Sequence, residues 1–386
     1  MERLIYLITI ILLSMTVTEA KTPIEANNMD ALLQSLVEQE QIKNNLVGLG
    51  AIAIHRDKIF GPVVSGERKH DSEVLLSTQD KWHIGSVTKS ITSTMIARLV
   101  EQGKLKWTTT VSDIFPSNND IHEQWKRVTL LDLLTHSSGA PANFSLSVNL
   151  KKPKAGEERV LARRLAVFDI LKVQPEKNTS KEFHYSNVGY TIAGVMAESV
   201  MNRSWESLIE GEIFAPLNIE SGGFGPPKDL KGTLEQPRGH KKMFGFTISA
   251  DTDSDNSPIM GPAGTIHLSL SDLGIFVHEH LKGEYGFSSL LKHKNFKQLH
   301  TPRLNNYALG WVVSKPLNES SGPVIWHNGS NTMWYTMVAF LPKINAVIIV
   351  TSNDGNIKKA EASAWFMIKK ITNVITNNAQ SDNVSE

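Results

Sequence analysis

Ser86 and Lys89 are three positions apart, and this spacing can support nucleophilic chemistry. Residues 86–102 carry apolar side chains at helical spacing and end at Gly103, so both side chains project from one face of a helix start. A serine hydroxyl becomes a nucleophile when a base takes its proton, and a lysine is such a base when burial lowers its pKa. The helix amino terminus also directs N–H groups at an oxyanion beside Ser86. Taken alone, the spacing favours a capping serine and an exposed lysine.

Tyr185 and Asn187 lie at the start of a second predicted helix, residues 187–201. A tyrosine hydroxyl beside a cationic lysine passes readily to phenolate and relays a proton to a leaving group. Asn187 has a donor and an acceptor, which suit it to orient a substrate amide or to fix Lys89. The structural alternative is a core tyrosine followed by a capping asparagine.

The third group, His327-Asn328-Gly329-Ser330, lies at the end of a predicted strand. A glycine in a strand lets another backbone approach closely, which makes the N–H of Ser330 available as an oxyanion donor. His327 would hydrogen-bond a substrate carboxylate or the lysine–tyrosine pair. An isolated histidine is more often a structural residue.

These groups come from distant parts of the chain, so the fold must bring them together. Runs rich in Val, Ile, Trp and Tyr predict strands at 46–54, 59–65, 307–314, 324–327, 334–341 and 346–352. Apolar periodicity and caps predict helices at 86–102, 130–135 (after Thr129), 187–201, 204–213 and 269–280, and one that ends near Ile375. The sequence therefore predicts an α+β fold, with an antiparallel sheet from about 46–65 and 307–352 and a helical part at about 86–300. We expect the polar tail 376–386 to be disordered.

The composition excludes several classes of protein. The 386 residues include 40 Lys+Arg against 39 Asp+Glu and no Cys. The net charge of +1 argues against nucleic-acid binding, and the absence of thiols excludes disulfides, thiolate metal sites and a cysteine nucleophile. His278 and His280 point about 200° apart on a helix, which favours surface histidines over a metal site. We expect no metal and no cofactor.

Residues 1–20 have the pattern of a secretory signal peptide. A short basic start precedes the apolar stretch 4–17, and small residues precede a plausible cleavage point after Ala20. The alternative is an uncleaved amino-terminal anchor. Either interpretation predicts export, to the periplasm or the cell exterior, with a catalytic domain at 21–375. If the signal is cleaved, we expect no stable membrane span.

The three groups together resemble the serine β-lactamase and penicillin-recognising family, in the branch that holds class C β-lactamases, D-alanyl-D-alanine carboxypeptidases, D-aminopeptidases and related esterases. Further similar stretches are 131–139, 185–194, 214–217, 261–265 and 309–311, so the resemblance covers about 46–353. It implies an antiparallel sheet flanked by helices, with an all-helical insertion. It also implies roles for the residues: Ser86 as nucleophile, Lys89 and Tyr185 as general base and acid, Asn187 as a contact to the substrate amide, and the N–H groups of Ser86 and Ser330 as oxyanion hole.

The third group departs from class C β-lactamases, which resemble this chain but carry Lys-Thr-Gly where it has His327-Asn328-Gly329. Among the substrate-binding residues, His327, whose charge depends on pH, thus replaces the permanently charged lysine of those enzymes. This replacement puts efficient β-lactam turnover in doubt. If an imidazolium binds the substrate carboxylate, activity on carboxylate-bearing substrates should fall as pH rises through about 6.5.

We expect an exported serine hydrolase that forms an acyl-enzyme and acts on a small molecule or peptide: a β-lactam, a D-amino-acid peptide or a related amide or ester. The alternatives are a carboxylesterase of the same fold and a non-catalytic homologue that binds the cell wall or a partner. Fold alone does not decide among these functions.

Overall fold

The computed structural model describes residues 29–177, 182–229 and 233–382. The helices, in chain order, are α1 (Met29–Asn44), α2 (Thr88–Glu101), α3 (Val111–Ile114), α4 (Glu123–Lys126), α5 (Leu130–Leu134), α6 (Leu146–Asn149), α7 (Glu157–Leu171), α8 (Asn187–Met201), α9 (Trp205–Ile209), α10 (Gly261–Gly264), α11 (Leu270–Tyr285), α12 (His293–His300) and α13 (Ile357–Asp382). The strands are β1 (Gly48–His55), β2 (Lys58–Gly66), β3 (Lys81–His83), β4 (Gly223–Phe224), β5 (His240–Met243), β6 (Phe246–Ser249), β7 (Ile266–Ser269), β8 (Val312–Ser314), β9 (Val324–Ser330), β10 (Tyr335–Leu341) and β11 (Ala346–Ser352).

The main sheet joins the two ends of the chain. Its strand order is β2-β1-β11-β10-β9-β8, and every neighbouring pair is antiparallel. Ile349 of β11 lies opposite Ile52 on one side and Val338 on the other. The predicted antiparallel sheet built from both chain ends is confirmed.

Alternate side chains of the central strands enter two apolar cores. Ile52, Val338 and Ile349 belong to the core shared with α11 and the helical middle of the chain. Ala51 and Ile348 belong to the core under α1 and α13. Because the sheet is covered on both faces, β10 and β11 are buried along their whole length.

Helix α1 was not predicted from the sequence, although its signal is present. Met29, Leu33, Leu36 and Val37 recur at helical spacing and are buried against the sheet. The helical middle also holds the short antiparallel strands β3, β7 and β4, and a hairpin of β5 and β6. Strands of two to four residues are too short to leave a periodic signal in the sequence.

A buried ion cluster holds the helical middle together. Arg163 of α7 is fully buried, donates a hydrogen bond to Glu206 Oε1 at 2.6 Å, and also pairs with Glu198 of α8. Its Nε donates to the carbonyl of Ile259 at 3.1 Å. The guanidinium therefore ties α7 to α8, α9 and the segment before α10.

Two expectations require correction. Helix α13 continues to Asp382, so residues 376–382 are helical where a disordered tail was expected, and Thr376 is buried and accepts a hydrogen bond from Asn318 Nδ2. His280 is buried, not a surface residue, because it bridges Thr94 and His300 at 3.0 and 2.8 Å. The signal-peptide prediction concerns residues 1–20, which lie outside the described residues. Within the described ranges, no helix combines the length and apolar character needed to cross a membrane.

Candidate active site

Ser86 lies in a single turn of 3-10 helix, Gly85–Val87, immediately before α2. This turn packs directly on the end of β9. A Cβ on Gly85 would lie 2.3 Å from Ser330 N, and one on Gly329 would lie 2.4 Å from Ser86 N. Gly85 also has a φ of +49°, a conformation that favours glycine. The two glycines thus bring the backbone nitrogens of Ser86 and Ser330 to one junction beside the Ser86 hydroxyl.

Lys89 lies one helical turn further along and is completely buried. Its Nζ lies 3.0 Å from Ser86 Oγ, 2.7 Å from Asn187 Oδ1 and 2.7 Å from the carbonyl oxygen of Ala263. Burial lowers the pKa of Lys89 well below its ordinary value, because an ammonium loses its hydration there. A neutral amine has two N–H bonds for Asn187 and Ala263, and its lone pair then accepts the Ser86 O–H. The arrangement suits a lysine that acts as a base.

Tyr185 lies beside Ser86 in the same cleft. Lys89 Nζ lies 4.8 Å from the centre of the Tyr185 ring. Burial raises the pKa of Tyr185 above its ordinary value, because the phenolate would be poorly solvated. The structure therefore favours a protonated phenol, in contrast to the phenolate suggested by the sequence.

Asn187 fixes Lys89 and does not cap its helix. Ser186 is the cap, since its hydroxyl accepts the N–H of Gly189 at 2.9 Å. This leaves the Asn187 side chain free: Oδ1 accepts from Lys89, and Nδ2 donates to Asn143 Oδ1 at 2.7 Å. The amide therefore presents its oxygen to the amine.

His327 lies beside this group, but its ring nitrogens are already engaged. Nδ1 lies 2.6 Å from the carbonyl of Asn328, so it carries the hydrogen, and Nε2 accepts from the Tyr307 hydroxyl at 3.0 Å. Burial, together with the charge of Lys89, lowers the pKa of His327 to about 3. The contacts and the lowered pKa favour a neutral ring at this position near neutral pH, which argues against the imidazolium hypothesis. Asn328 also lines the cleft beside Ser86, and its Nδ2 lies 3.4 Å from Glu361 Oε1.

His136 packs against Tyr185 and bonds the backbone of Ser186, a supporting role that sequence reasoning missed. It is buried with a φ of +59°, its Nδ1 accepts the N–H of Ser186 at 3.0 Å, and its ring lies 4.2 Å from that of Tyr185. Tyr307 packs on the same imidazole at 4.6 Å. His136 lies within 131–139, one of the stretches that carry the family resemblance.

A cleft of about 350 Å³ opens beside Ser86. Tyr185, His327, Gly329 and Ser330 line it, together with the rings of Phe183, Tyr307, Trp326 and Tyr335. A larger cavity of about 590 Å³, near Glu123 and Arg127, contains none of the predicted site residues. Across the described ranges, no three His, Asp or Glu side chains are grouped so that they could hold a metal ion.

The fold and the Ser86–Lys89 site define a serine hydrolase-like class of protein. A family model described as Beta-lactamase matches residues 30–371, and the chain belongs to this family, whose members are generally serine hydrolases.

Curated relatives are distant. The chain is 23% identical over 337 residues to "Protein flp" of Staphylococcus aureus (strain COL), a match that covers 85% of this chain and 64% of that protein. It is 26% identical over 325 residues to "Penicillin-binding protein 4" of Amycolatopsis lactamdurans, a match that covers 79% of this chain and 80% of that protein. The chain thus spans less than two thirds of the length of the flp proteins.

Solved structures share the fold. An octameric penicillin-binding protein homologue from Pyrococcus abyssi superposes with a TM-score of 0.72 at 19% identity, over 88% of this chain and 77% of that one. The D-amino acid amidase from Ochrobactrum anthropi SV3, solved with L-phenylalanine amide, superposes with a TM-score of 0.72 at 17% identity. The match covers 91% of this chain and 99% of the amidase chain. These likenesses confirm the predicted fold class.

Proposed function

We propose that this chain hydrolyses amide or ester bonds through an acyl-enzyme on Ser86. One observation carries the proposal: Lys89 Nζ is buried 3.0 Å from Ser86 Oγ and is held there by two further oxygen acceptors. A capping serine with an exposed lysine, the alternative left open by the sequence, would place the amine in water. A buried amine with a lowered pKa serves instead to activate the hydroxyl.

In the acylation step, Ser86 Oγ forms a bond to the substrate carbonyl carbon while its proton passes to Lys89 Nζ. The carbonyl electron pair moves onto oxygen, where the N–H groups of Ser86 and Ser330 would stabilise it. When the pair returns, the bond to the leaving group breaks. The leaving alkoxide or amine takes a proton from Tyr185, whose hydroxyl recovers one from Lys89. The products are an ester on Ser86, a neutral lysine and a free alcohol or amine.

Deacylation follows the same route with water in place of the leaving group. Water gives its proton to the basic group, its oxygen bonds to the acyl carbon, and the Ser86–acyl bond breaks as Ser86 Oγ regains a proton. The acid product departs and the enzyme returns to its starting state. In this scheme Lys89 and Tyr185 carry every proton that is transferred.

The relatives suggest the substrate class. A penicillin-binding protein and a D-amino acid amidase occur among them, so β-lactams and D-amino-acid amides or peptides belong to the proposal, beside simple esters. The neutral His327, where class C β-lactamases resembling this chain carry lysine, favours the ester and amide substrates over β-lactams. Export by the amino-terminal segment is part of the same proposal.

The test uses the purified full-length chain with an activated ester, a D-amino acid amide and a fluorescent penicillin, each alongside Ser86→Ala. We expect the intact protein to turn over at least one substrate and Ser86→Ala to lose at least about 10⁴-fold in rate. If no substrate reacts, or if the variant behaves like the intact protein, the proposal fails. A non-catalytic homologue would give the first of these results.

A further inference from the structure

We propose that the cleft beside Ser86 selects substrates whose bound part is uncharged and apolar, so that esters or amides with an alkyl or aromatic group are preferred to those with a free carboxylate. This inference rests on the proposed function of Ser86 and specifies its substrate class. Four features of the cleft carry it: the lining, the engagement of His327, the placement of Lys89 and the charge at the Asn328 end.

The described lining of the cleft holds aromatic and aliphatic side chains. Val312 and Ile357 join the four rings already named. The polar lining residues are neutral, among them Asn305, Asn328 and Ser330, and none of the described lining residues is Lys, Arg, Asp or Glu. An apolar surface binds an alkyl or aryl group by removing its area from water. It provides no cation for an anion, which would lose its hydration on entry.

His327 does not supply the missing cation. Its Nδ1–H donates to the Asn328 carbonyl, and its Nε2 accepts from Tyr307. Because these two bonds occupy both ring nitrogens, His327 offers no N–H to a substrate carboxylate.

Lys89 does not line the cleft, although it contacts Ser86, which does. Its three oxygen contacts are to Ser86, Asn187 and Ala263, and the ring of Tyr185 lies over it. The side chain is fully buried, so an anion in the cleft cannot reach its Nζ. The amine acts on Ser86 and not on the charge of a substrate.

A carboxylate lies at the Asn328 end of the cleft. Asn328 Nδ2 lies 3.3 Å from the hydroxyl of Tyr335 and 3.4 Å from Glu361 Oε1. The charge of Glu361 also acts on Tyr335, whose pKa it helps to raise, although burial is the larger cause. An anionic group bound near this end would be repelled, whereas a neutral group would not.

The experiment compares matched esters with the full-length protein. p-Nitrophenyl valerate and mono-p-nitrophenyl glutarate have acyl chains of equal length and differ in a terminal methyl or carboxylate. Phenyl acetate and 4-carboxyphenyl acetate place the same kind of difference in the leaving group. Rates are divided by those of alkaline hydrolysis, which removes the intrinsic reactivity of each ester.

We expect kcat/KM to favour the neutral member by at least about 30-fold in one pair or both, and the pair affected shows which part of the substrate enters the cleft. Ser86-dependent hydrolysis with no such preference in either pair would overturn the inference and leave the proposed function standing. If no ester is hydrolysed faster than by Ser86→Ala, the proposed function fails, and this inference with it.

Two variants test the cause of the preference. Ile357→Lys adds a cation to the lining and, relative to its apolar match Ile357→Met, should reduce the preference by about 10-fold. Glu361→Gln removes the nearby carboxylate and should reduce it by about 2- to 5-fold. A preference that neither substitution changes would show that charge in the cleft does not set selectivity, and would overturn the inference.

Discussion

Gly329 and Ser86 are in direct backbone contact: a Cβ on Gly329 would lie 2.4 Å from Ser86 N and 2.1 Å from the carbonyl oxygen of Ile84. Distances this short are forbidden between non-bonded atoms, so no side chain can occupy position 329 without moving one backbone from the other. The oxyanion site in our proposal consists of the N–H groups on these two segments. The absence of a side chain at Gly329 therefore sets the geometry of that site.

Gly329→Ala should lower kcat by about 10²- to 10³-fold, because displacing β9 from Ser86 removes one oxyanion donor. The measurement is ester hydrolysis at saturating substrate, with thermal unfolding recorded in parallel. Gly274→Ala on α11 is the matched control, since its added Cβ meets the flexible side-chain ends of Ile52 at 3.3 Å and Ile54 at 3.7 Å and no backbone atom among its nearest contacts. Equal activity of the two variants would contradict the proposed oxyanion site.

The pH dependence of kcat/KM should follow the lowered pKa of Lys89. A base works only when neutral, so activity should be low below that pKa and rise through it to a plateau. The rise in kcat/KM should occur at a pH well below the ordinary pKa of a lysine. His327 is neutral throughout, so the ratio of rates on carboxylate-bearing and neutral esters should stay flat between about pH 5 and 8. A fall in that ratio near 6.5 would restore the imidazolium hypothesis.

Asn187→Asp should shift this rise toward higher pH by about 1 to 2 units. A carboxylate 2.7 Å from Lys89 Nζ stabilises the ammonium form, so a higher pH is needed to obtain the free base. Asn143→Asp, one hydrogen bond further from the amine, should give a smaller shift. If the two profiles coincide with that of the unmodified protein, Lys89 is not the titrating base.

Arg163→Met should destabilise the protein by about 3 to 5 kcal/mol, because it leaves Glu198 and Glu206 without their buried counter-charge. The change is read from urea unfolding. Arg164→Met is the control: this neighbour is exposed and packs on the ring of Phe168, so its loss should cost less than about 1 kcal/mol. Similar midpoints for the two variants would contradict a structural role for the ion cluster.

Local signals were sufficient for much of the fold. Strand β11 has the predicted bounds, because an apolar run lies between clear turn residues on both sides. Thr129 caps α5 as predicted, and Asp132 completes a capping box. The short strands β3, β4 and β7 gave no signal of their own, since they exist only by pairing with one another.

The chemistry of the site was less predictable from the sequence than its residues. The spacing of Ser86 and Lys89 identified the pair, but the neutral state of His327 depends on Tyr307, which precedes it by twenty positions and meets it only in the fold. The prediction of His280 as a surface residue was wrong for the same reason, because its partners Thr94 and His300 come from α2 and α12. Burial and long-range partners decide charge, and a local pattern contains neither.

The central claim is the acyl-enzyme on Ser86, and mass spectrometry after rapid acid quench tests it most directly. The full-length protein is mixed with p-nitrophenyl valerate, quenched within the first turnover and weighed intact, then digested to locate the label. We predict a mass increase equal to the valeryl group, carried by the peptide that contains Ser86 and absent from Ser86→Ala. Turnover of the ester with no added mass on that peptide, or with the mass on another residue, would contradict the account.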